Sequence, residues 1–172
     1  MLKEMAADYR RHDASILNPA LWAVWNYRYG VWLDGIRFKP IRWILSKFYG
    51  LNLFFILITS GITLYRETKI GKDLHLIHCG NIAIHPDAVI GDRCGIMHDV
   101  TIGTNMVEGA PVIGDDVFIG AGAKVLGNIR IGNNVHIAAN SLVITNIPDN
   151  ATAMGVPAKV WHFPAAKEEG QK

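Results

Sequence analysis

Hydrophobic residues recur every six positions through the second part of the chain, about residues 61–161. Twelve gaps separate the aliphatic positions from Leu64 to Val143, and ten of those gaps are six residues long. Glycine often follows the aliphatic residue directly, as at Gly71, Gly91 and Gly114. Helices repeat every 3.6 residues and plain strands every two, so this period predicts a parallel β-helix of short strands and tight corners.

Two gaps break the period, and irregular backbone in a regular fold is where a site can be built. The gap from Ile102 to Ile113 is eleven residues and extrudes the loop TNMVEGAP, residues 104–111. The gap from Leu76 to Ile84 is eight residues. The six-residue repeat resembles that of the hexapeptide-repeat family, in which three repeats, eighteen residues, make one turn of the prism. That resemblance implies that the two-residue excess places Leu76 and Ile96, twenty residues apart, on one wall in successive turns.

His78 and His98 each lie two residues beyond those aliphatic positions, at matching corners of successive coils. Neighbouring strands are about 4.8 Å apart, so we expect the two imidazoles to be neighbours. A pair of close histidines resists double protonation, which helps to keep one ring neutral and able to accept a proton. This spacing makes His78 a candidate general base.

The first sixty residues predict a short helical segment. Asn18-Pro19 is a helix-start signal, and the helix is expected to run to about residues 34–35. A second helix is expected from near Pro40 and includes residues 41–48.

Aromatic residues recur at alternating spacings of three and four in the first of these helices, which places them on one face. The favoured interpretation is packing on a core or a partner chain, and the alternatives are a membrane surface or stacking on sugars. The residues are Trp22, Trp25, Tyr29, Trp32 and Ile36.

Charge and cysteine content narrow the classes of function. The formal net charge of +2, without a dense basic block, argues against nucleic acid as a partner. Cys79 and Cys94 give no disulfide framework, and the N-terminal residues lack the apolar stretch of a secretory signal, so we expect a cytoplasmic protein. The uncharged run of residues 50–65 is shorter than the about 20 residues that a membrane-spanning helix needs. We expect it to contact a membrane surface or protein rather than to cross a bilayer.

The runs GITLYRETKIGKDLHLIHCGNIAIHPDAVIGDRCGIMHDVTIG, PVIGDDVFIGAGAKVLGNIRIGNNV and GVPAK resemble the serine acetyltransferase branch of the hexapeptide-repeat acyltransferases. That branch includes acetyltransferases of bacterial surface polysaccharides. The resemblance implies a mainly β fold, a left-handed parallel β-helix after a short α-helical segment. The implied division is residues 1–60 helical, 61–147 β-helix, and 148–172 a tail that completes the CoA site. It also implies homotrimers with active sites between subunits.

For chemistry, the resemblance implies direct acetyl transfer from acetyl-CoA to a hydroxyl with His78 as the base, and no metal is expected. His98 falls at a position that is His in some polysaccharide acetyltransferases and Gln in serine acetyltransferases, so it is the second catalytic candidate. The cofactor-binding positions that the resemblance implies are Ala121, Ala139, Thr145, Asn146 and Lys159. Ala121 and Ala139 are eighteen residues apart, so they should stack and present backbone groups to the pantetheine.

Three departures from serine acetyltransferases bear on the acceptor. Ile77 stands where that branch has Asp, Thr63 where it has a supporting aspartate, and Gly109-Ala110 where it has an Arg-His pair that helps to hold serine. A zwitterionic amino acid needs fixed charges, whereas a sugar is held by neutral hydrogen bonds. The chain also lacks most of the long N-terminal helical region. The sequence therefore favours a sugar or polysaccharide-precursor hydroxyl, with L-serine as the alternative.

Two other hypotheses stay open. A γ-type carbonic anhydrase uses the same fold with zinc, and His75, His78 and His98 could supply nitrogen ligands, but the expected histidine pair separated by four residues is absent. A non-catalytic scaffold would use the tryptophan-rich front as its binding surface. In the acetyltransferase interpretation, the N-terminal aromatic helices are instead a candidate for peripheral contact with the inner membrane face.

Overall fold

The computed structural model describes residues 2–106 and 109–162. Residues 107 and 108 of the predicted loop and residues 163–172 of the predicted tail lie outside the described part. Three helices come first, and within the described residues fourteen short strands follow. The helices are α1 (Leu2–Arg11), α2 (Pro19–Asp34) and α3 (Lys39–Ser60).

The strands form three walls of a prism, and each coil passes through walls 1, 2 and 3 in turn. Wall 1 contains β1 (Lys69–Ile70), β4 (Val89–Ile90), β7 (Val112–Ile113) and β10 (Arg130–Ile131). Wall 2 contains β2 (His75–Leu76), β5 (Gly95–Ile96), β8 (Phe118–Ile119), β11 (His136–Ile137), β13 (Thr152–Met154) and β14 (Lys159–Trp161). Wall 3 contains β3 (Ala83–Ile84), β6 (Thr101–Gly103), β9 (Lys124–Leu126) and β12 (Leu142–Val143). All pairings are parallel except that of β13 with β14, so the predicted parallel β-helix is confirmed.

The period of six arises because each strand contributes one inward side chain before the chain turns a corner. On wall 2, Leu76, Ile96, Ile119 and Ile137 pair in register and are each 0% exposed. Burying one such side chain fully contributes about 1.5–3 kcal/mol. Cys94 also points into the interior, and burial raises the pKa of its thiol to about 11.

The corner between walls 1 and 2 is tied together by side chains that bond to the coil before them. The Lys72 N–H donates to Asp92 Oδ1 at 2.7 Å, and the Asp92 N–H donates to Asp115 Oδ1 at 2.9 Å. This stacking leaves no room for a side chain at the preceding position: a Cβ added to Gly91 would lie 2.6 Å from the backbone carbonyl of Gly114. Close approach of the coils is therefore the reason for glycine here.

No sequence pattern predicted α1, and the turn that follows it caps the open edge of wall 2. His12, just after α1, is 0% exposed, and its Nε2 accepts the N–H of Leu76 at 3.2 Å. Its Nδ1 therefore carries the proton and donates to the Asp8 carbonyl at 2.7 Å. Burial lowers the pKa of His12, which fits a neutral ring that caps the first coil.

A buried ion pair joins α1, α2 and the prism. Arg28 Nε donates to Asp8 Oδ2 at 3.3 Å, and the same guanidinium donates to the carbonyl of Gly71 at 2.8 Å. Both charged side chains are at most 8% exposed. Burial raises the pKa of Asp8, and Arg28 opposes that shift. The pair fixes α1 and α2 against the first coil.

The helix α2 begins as predicted, because Asn18 Oδ1 accepts the N–H of Ala20 at 3.0 Å. The face that enters the core is not the aromatic one. Trp22 and Trp32 are 47% and 43% exposed, so their predicted packing on a core is wrong within this chain. Small side chains let α2 approach the prism more closely than indole rings would. The α2 residues in the core are Ala20, Ala23, Val24 and Tyr27.

The helix α3 is longer than predicted, and this overturns the length argument against crossing a bilayer. It runs without a break through Gly50 and Asn52, so residues 39–48 and 49–60 form one helix of 22 residues. Its best 18-residue window has a mean hydropathy of 1.5 and is 6% buried. By length and composition, α3 is therefore a candidate membrane span.

Candidate active site

The corner between walls 2 and 3, here called the histidine corner, brings His78 and His98 together. His78 follows β2 and His98 follows β5, and the pairing of those strands in register stacks the two residues. Their ring centroids are 5.8 Å apart with an angle of 52° between the planes, as the hexad count predicts. Both side chains are exposed. The pair is thus accessible to a substrate at the start of the prism.

The chain turns sharply just after His78. Gly80 and Asn81 have positive φ values of 123° and 46°, and the Gly80 carbonyl accepts the N–H of Asp99 from the next coil. In the described residues, the N–H groups of His78, Cys79 and Gly80 donate to no backbone carbonyl. These donors are available beside the imidazole, where an oxyanion could be held.

Ala121 and Ala139 continue the same corner on the next two coils. Gly122 donates its N–H to the His98 carbonyl, and Asn140 donates its N–H to the Ala121 carbonyl. The predicted stacking of the two alanines is therefore present, directly beyond the histidine pair. Their methyl groups leave the backbone of the corner open along the prism axis.

Thr145, Asn146 and Lys159 do not lie at the histidine corner. Thr145 and Asn146 follow β12 at the corner between walls 3 and 1, and Asn146 Oδ1 already accepts the N–H of Arg130 at 2.8 Å. Lys159 lies on β14, opposite Met154 of β13, and its side chain is exposed. The structure thus separates the predicted cofactor residues into three places.

The positions that depart from serine acetyltransferases are occupied by neutral groups. Ile77 is half-buried, and its Cδ1 lies 3.5 Å from the place where a Cβ on Gly95 would be. Thr63 pairs with Ala83 at the start of wall 3. Neither position supplies a carboxylate to support His78. Gly109, beyond the undescribed part of the loop, packs against Asn128 with a φ of 100°.

Other polar residues near the corner have contacts of their own. Lys124 Nζ donates to the carbonyl of Asp99 at 2.5 Å, which ties β9 to the histidine corner. His75 packs edge-on against His12 with ring centroids 5.1 Å apart. Within residues 2–106 and 109–162, no group of three or more His, Cys, Asp or Glu side chains is placed to hold a metal ion.

His12 is the site-supporting residue that sequence reasoning missed. It bonds to Leu76, two residues before His78, and so fixes the strand that carries the candidate base. The two residues are 64 positions apart, and no repeat or motif includes His12. The helix-forming composition of residues 2–11 was the only available signal.

Comparisons with known proteins place this geometry in a family. A family model described as bacterial transferase hexapeptide (six repeats) matches residues 110–145. Serine acetyltransferase from Synechococcus elongatus is 33% identical over 93% of this chain and 68% of its own length. Serine acetyltransferase from Helicobacter pylori is 36% identical over 92% of this chain and 91% of its own length.

The chain belongs to the serine acetyltransferase-like branch of the hexapeptide-repeat acyltransferases. Among solved structures, serine acetyltransferase from Brucella abortus in complex with coenzyme A is 30% identical, with a TM-score of 0.74. That alignment covers 91% of this chain and 64% of the Brucella chain. The chain thus spans about two thirds of the length of two of these relatives and nearly all of the third.

Proposed function

We propose that this family member transfers the acetyl group of acetyl-CoA to a hydroxyl, with His78 as the general base. The observation that carries the proposal is the histidine corner, where two exposed imidazoles 5.8 Å apart lie directly below Ala121 and Ala139. His78 would take the hydroxyl proton as the acceptor oxygen attacks the thioester carbonyl. The C–S bond then breaks, and the protonated imidazole returns the proton to the CoA sulfur. Backbone N–H groups at the corner would hold the oxyanion.

Acetyl-CoA fits the small side chains of this corner. Ala121 and Ala139 carry only methyl groups on two stacked coils, which suits an extended pantetheine chain that bonds to the backbone beside them. The exposed ammonium of Lys159 at the far end of wall 2 is suited to a phosphate. The Brucella relative in complex with coenzyme A supports this assignment.

L-serine is the acceptor that the comparisons support better than a sugar, because the relatives are named serine acetyltransferases. The short helical front does not argue against serine, since the Helicobacter relative is matched over 91% of its own length. A sugar hydroxyl is the second candidate. It is favoured by the neutral Ile77 and Thr63, which offer no charge for an ammonium group.

The deciding experiment measures thiol release from acetyl-CoA with L-serine and with a panel of nucleotide sugars and oligosaccharides. We expect His78→Ala to lower kcat by about 10²–10⁴-fold, the usual contribution of a positioned base. His136→Ala removes an exposed histidine stacked on Phe118 and serves as the control. Full activity of His78→Ala would contradict the mechanism.

Ile77→Asp separates the two acceptors. If serine is bound, a carboxylate beside His78 should raise turnover of serine and leave other acceptors unchanged. Turnover of a sugar by the wild type, without turnover of serine, would reject the serine assignment.

We also propose a homotrimer with active sites between subunits, by analogy with the family fold. Gel filtration with light scattering checks the mass of the active species. A fully active monomer would contradict shared sites.

A further inference from the structure

The surface of α3 points to a partner that the acetyltransferase reaction does not need. Nine large apolar side chains of α3 are 47–66% exposed, and together they cover an arc of about 200° around the helix. They are Ile41, Trp43, Ile44, Phe48, Leu51, Phe54, Phe55, Leu57 and Ile58. A contiguous patch of this kind on a folded protein marks an interaction surface.

The charges in the N-terminal half of α3 and just before it have one sign. Arg37, Lys39, Arg42 and Lys47 are all exposed, and no acidic residue occurs from position 35 to position 66. Lys47 Nζ lies 5.2 Å from the centroid of the Trp43 ring, so a cation and an indole share one end of the patch. Basic residues beside tryptophan are typical of helices that meet anionic headgroups at a membrane interface.

The opposite side of α3 is anchored to the folded body. Tyr49 is buried, its hydroxyl accepts the N–H of Arg66 at 3.1 Å, and its ring lies against Gly30 of α2. Tyr29 of α2 donates its hydroxyl to the Leu45 carbonyl at 3.2 Å. A helix that crosses a bilayer would have to leave these contacts, whereas a helix in the plane of the interface keeps them.

The apolar surface extends beyond α3 into a neighbouring groove. A groove of about 770 Å³ lies between α2, α3 and the connection before α2. Leu17 and Trp22 at its rim are 86% and 47% exposed, and Phe55 joins it to the arc. The flat apolar interior of a membrane would contact the arc and the rim of the groove at the same time. One helix of a partner protein would cover only part of this surface.

A second copy of this chain fits the surface less well. Around a symmetry axis, each copy would bring its own Lys39, Arg42 and Lys47 near those of its neighbours, and residues 35–66 offer no acid to pair with them. The arc is also wider than a coiled-coil stripe, which charged residues normally flank.

We propose that α3 is an interfacial helix that binds the chain to membranes rich in anionic lipid, with its axis in the plane of the bilayer. The exposed arc enters the acyl region, and the basic residues at its N-terminal end meet the headgroups. The proposal is independent of the acceptor and of the role of His78.

Cosedimentation of the full chain with vesicles tests it. We expect tighter binding to phosphatidylcholine vesicles that contain phosphatidylglycerol than to phosphatidylcholine alone, with loss at high salt. Ile58→Glu should weaken vesicle binding at least about tenfold, because it places a charge in the acyl region. Leu2→Glu, the same change at a residue that is 76% exposed on α1, should have no effect.

The attraction of the basic residues to anionic lipid is tested with two double variants, one near α3 and a control on the prism. Arg37→Gln with Arg42→Gln should lower the affinity for anionic vesicles by about 30-fold, or about fivefold for each charge near the surface. Lys69→Gln with Arg130→Gln removes equal charge from wall 1 and should change nothing. Circular dichroism confirms that each variant is folded.

Three results would overturn the proposal. The first is that the wild type binds neither vesicle, or that Ile58→Glu and Leu2→Glu bind alike. The second is resistance of the bound protein to alkaline carbonate extraction, which would indicate a spanning helix. The third is an oligomer that Ile58→Glu dissociates without changing vesicle binding, which would assign the surface to a second copy.

Discussion

The prism and the helical front are both rich in large aliphatic and aromatic residues, yet they bury them to very different extents. Inward residues of wall 2, such as Ile96 and Ile119, are 0% exposed, whereas Ile44 and Ile58 of α3 are 52% and 66% exposed. In the prism every coil covers the one before it. In the front, α2 packs against the prism, α1 and α3, whereas α3 is covered on one side only, by its contact with α2.

This difference assigns separate tasks to the two regions. The prism supplies the rigid spacing that holds His78 beside His98, because its strands are fixed by a ladder and by interior packing. The front fixes the edge of that ladder through His12 and leaves an apolar surface free. Substitutions of the same type should therefore behave differently in the two regions.

The largest difference is expected from truncating an isoleucine in each region. Ile119→Ala leaves a cavity in the interior of the prism and should lower the free energy of unfolding by about 2–5 kcal/mol. Ile58→Ala on α3 should change it by no more than about 0.5 kcal/mol. Urea denaturation of both variants measures the difference. Equal losses would mean that α3 is covered in the protein in solution.

A smaller effect is expected from the tight corners. Gly91→Ala drives a Cβ to within 2.6 Å of the Gly114 carbonyl, so the coils must separate, at a cost of about 1–3 kcal/mol. Gly103→Ala is the matched control, since the nearest atom to its Cβ is Leu126 Cδ2 at 3.9 Å. If the two variants melt at the same temperature, contact between the coils does not set the requirement for glycine.

The sequence predicts the prism better than the helical front, because only the contacts of the prism follow a local repeat. The period of six is a local rule of the β-helix, so it predicted the walls and, through one irregular gap, the neighbouring positions of His78 and His98. The contacts of the front are not local. Arg28 pairs with Asp8 and with Gly71, and no pattern within α2 predicts either contact.

The length of α3 was missed for a physical reason too. The second helix is predicted only over residues 41–48 and the uncharged run is counted separately from Gly50, yet Gly50 and Asn52 both lie within α3 and are exposed. Nothing lies within 4 Å of a Cβ added at Gly50, so the helix continues past it without strain. The roles of the candidate site residues stay predictions, because they depend on substrates that the sequence does not specify.

The contact between front and prism should depend on pH through His12. Burial lowers the pKa of His12, while its hydrogen bond to the Asp8 carbonyl acts in the opposite direction. Between the lowered pKa of His12 in the folded chain and its ordinary value, the imidazole is therefore protonated in the unfolded chain but not in the folded one. The contribution of the neutral, buried His12 to the free energy of unfolding is fully present above about pH 6.5 and is lost as the pH falls below that value.

We expect the free energy of unfolding to fall by up to about 1.4 kcal/mol per pH unit below about pH 6.5. His12→Phe should reduce this dependence but not abolish it, because burial also lowers the pKa of the neighbouring His75, and His136→Gln, at an exposed histidine, should retain it in full. The raised pKa of Asp8 gives the opposite slope at lower pH, so the comparison is made between variants at each pH. An unchanged slope in His12→Phe would assign the pH dependence to other groups.

The smallest effect compares two glycines within the helical front itself. Gly50→Ala adds a methyl group where α3 has nothing within 4 Å, so it should stabilise the protein by about 0.5–1 kcal/mol through helix propensity. Gly30→Ala makes the same change in α2, but there the Cβ would lie 2.6 Å from the Tyr49 ring, and we expect destabilisation. Urea denaturation should give opposite signs for the two variants. Destabilisation by Gly50→Ala would mean that another chain or an ordered assembly lies against this face of α3 in solution, since the contacts within the chain leave that face open.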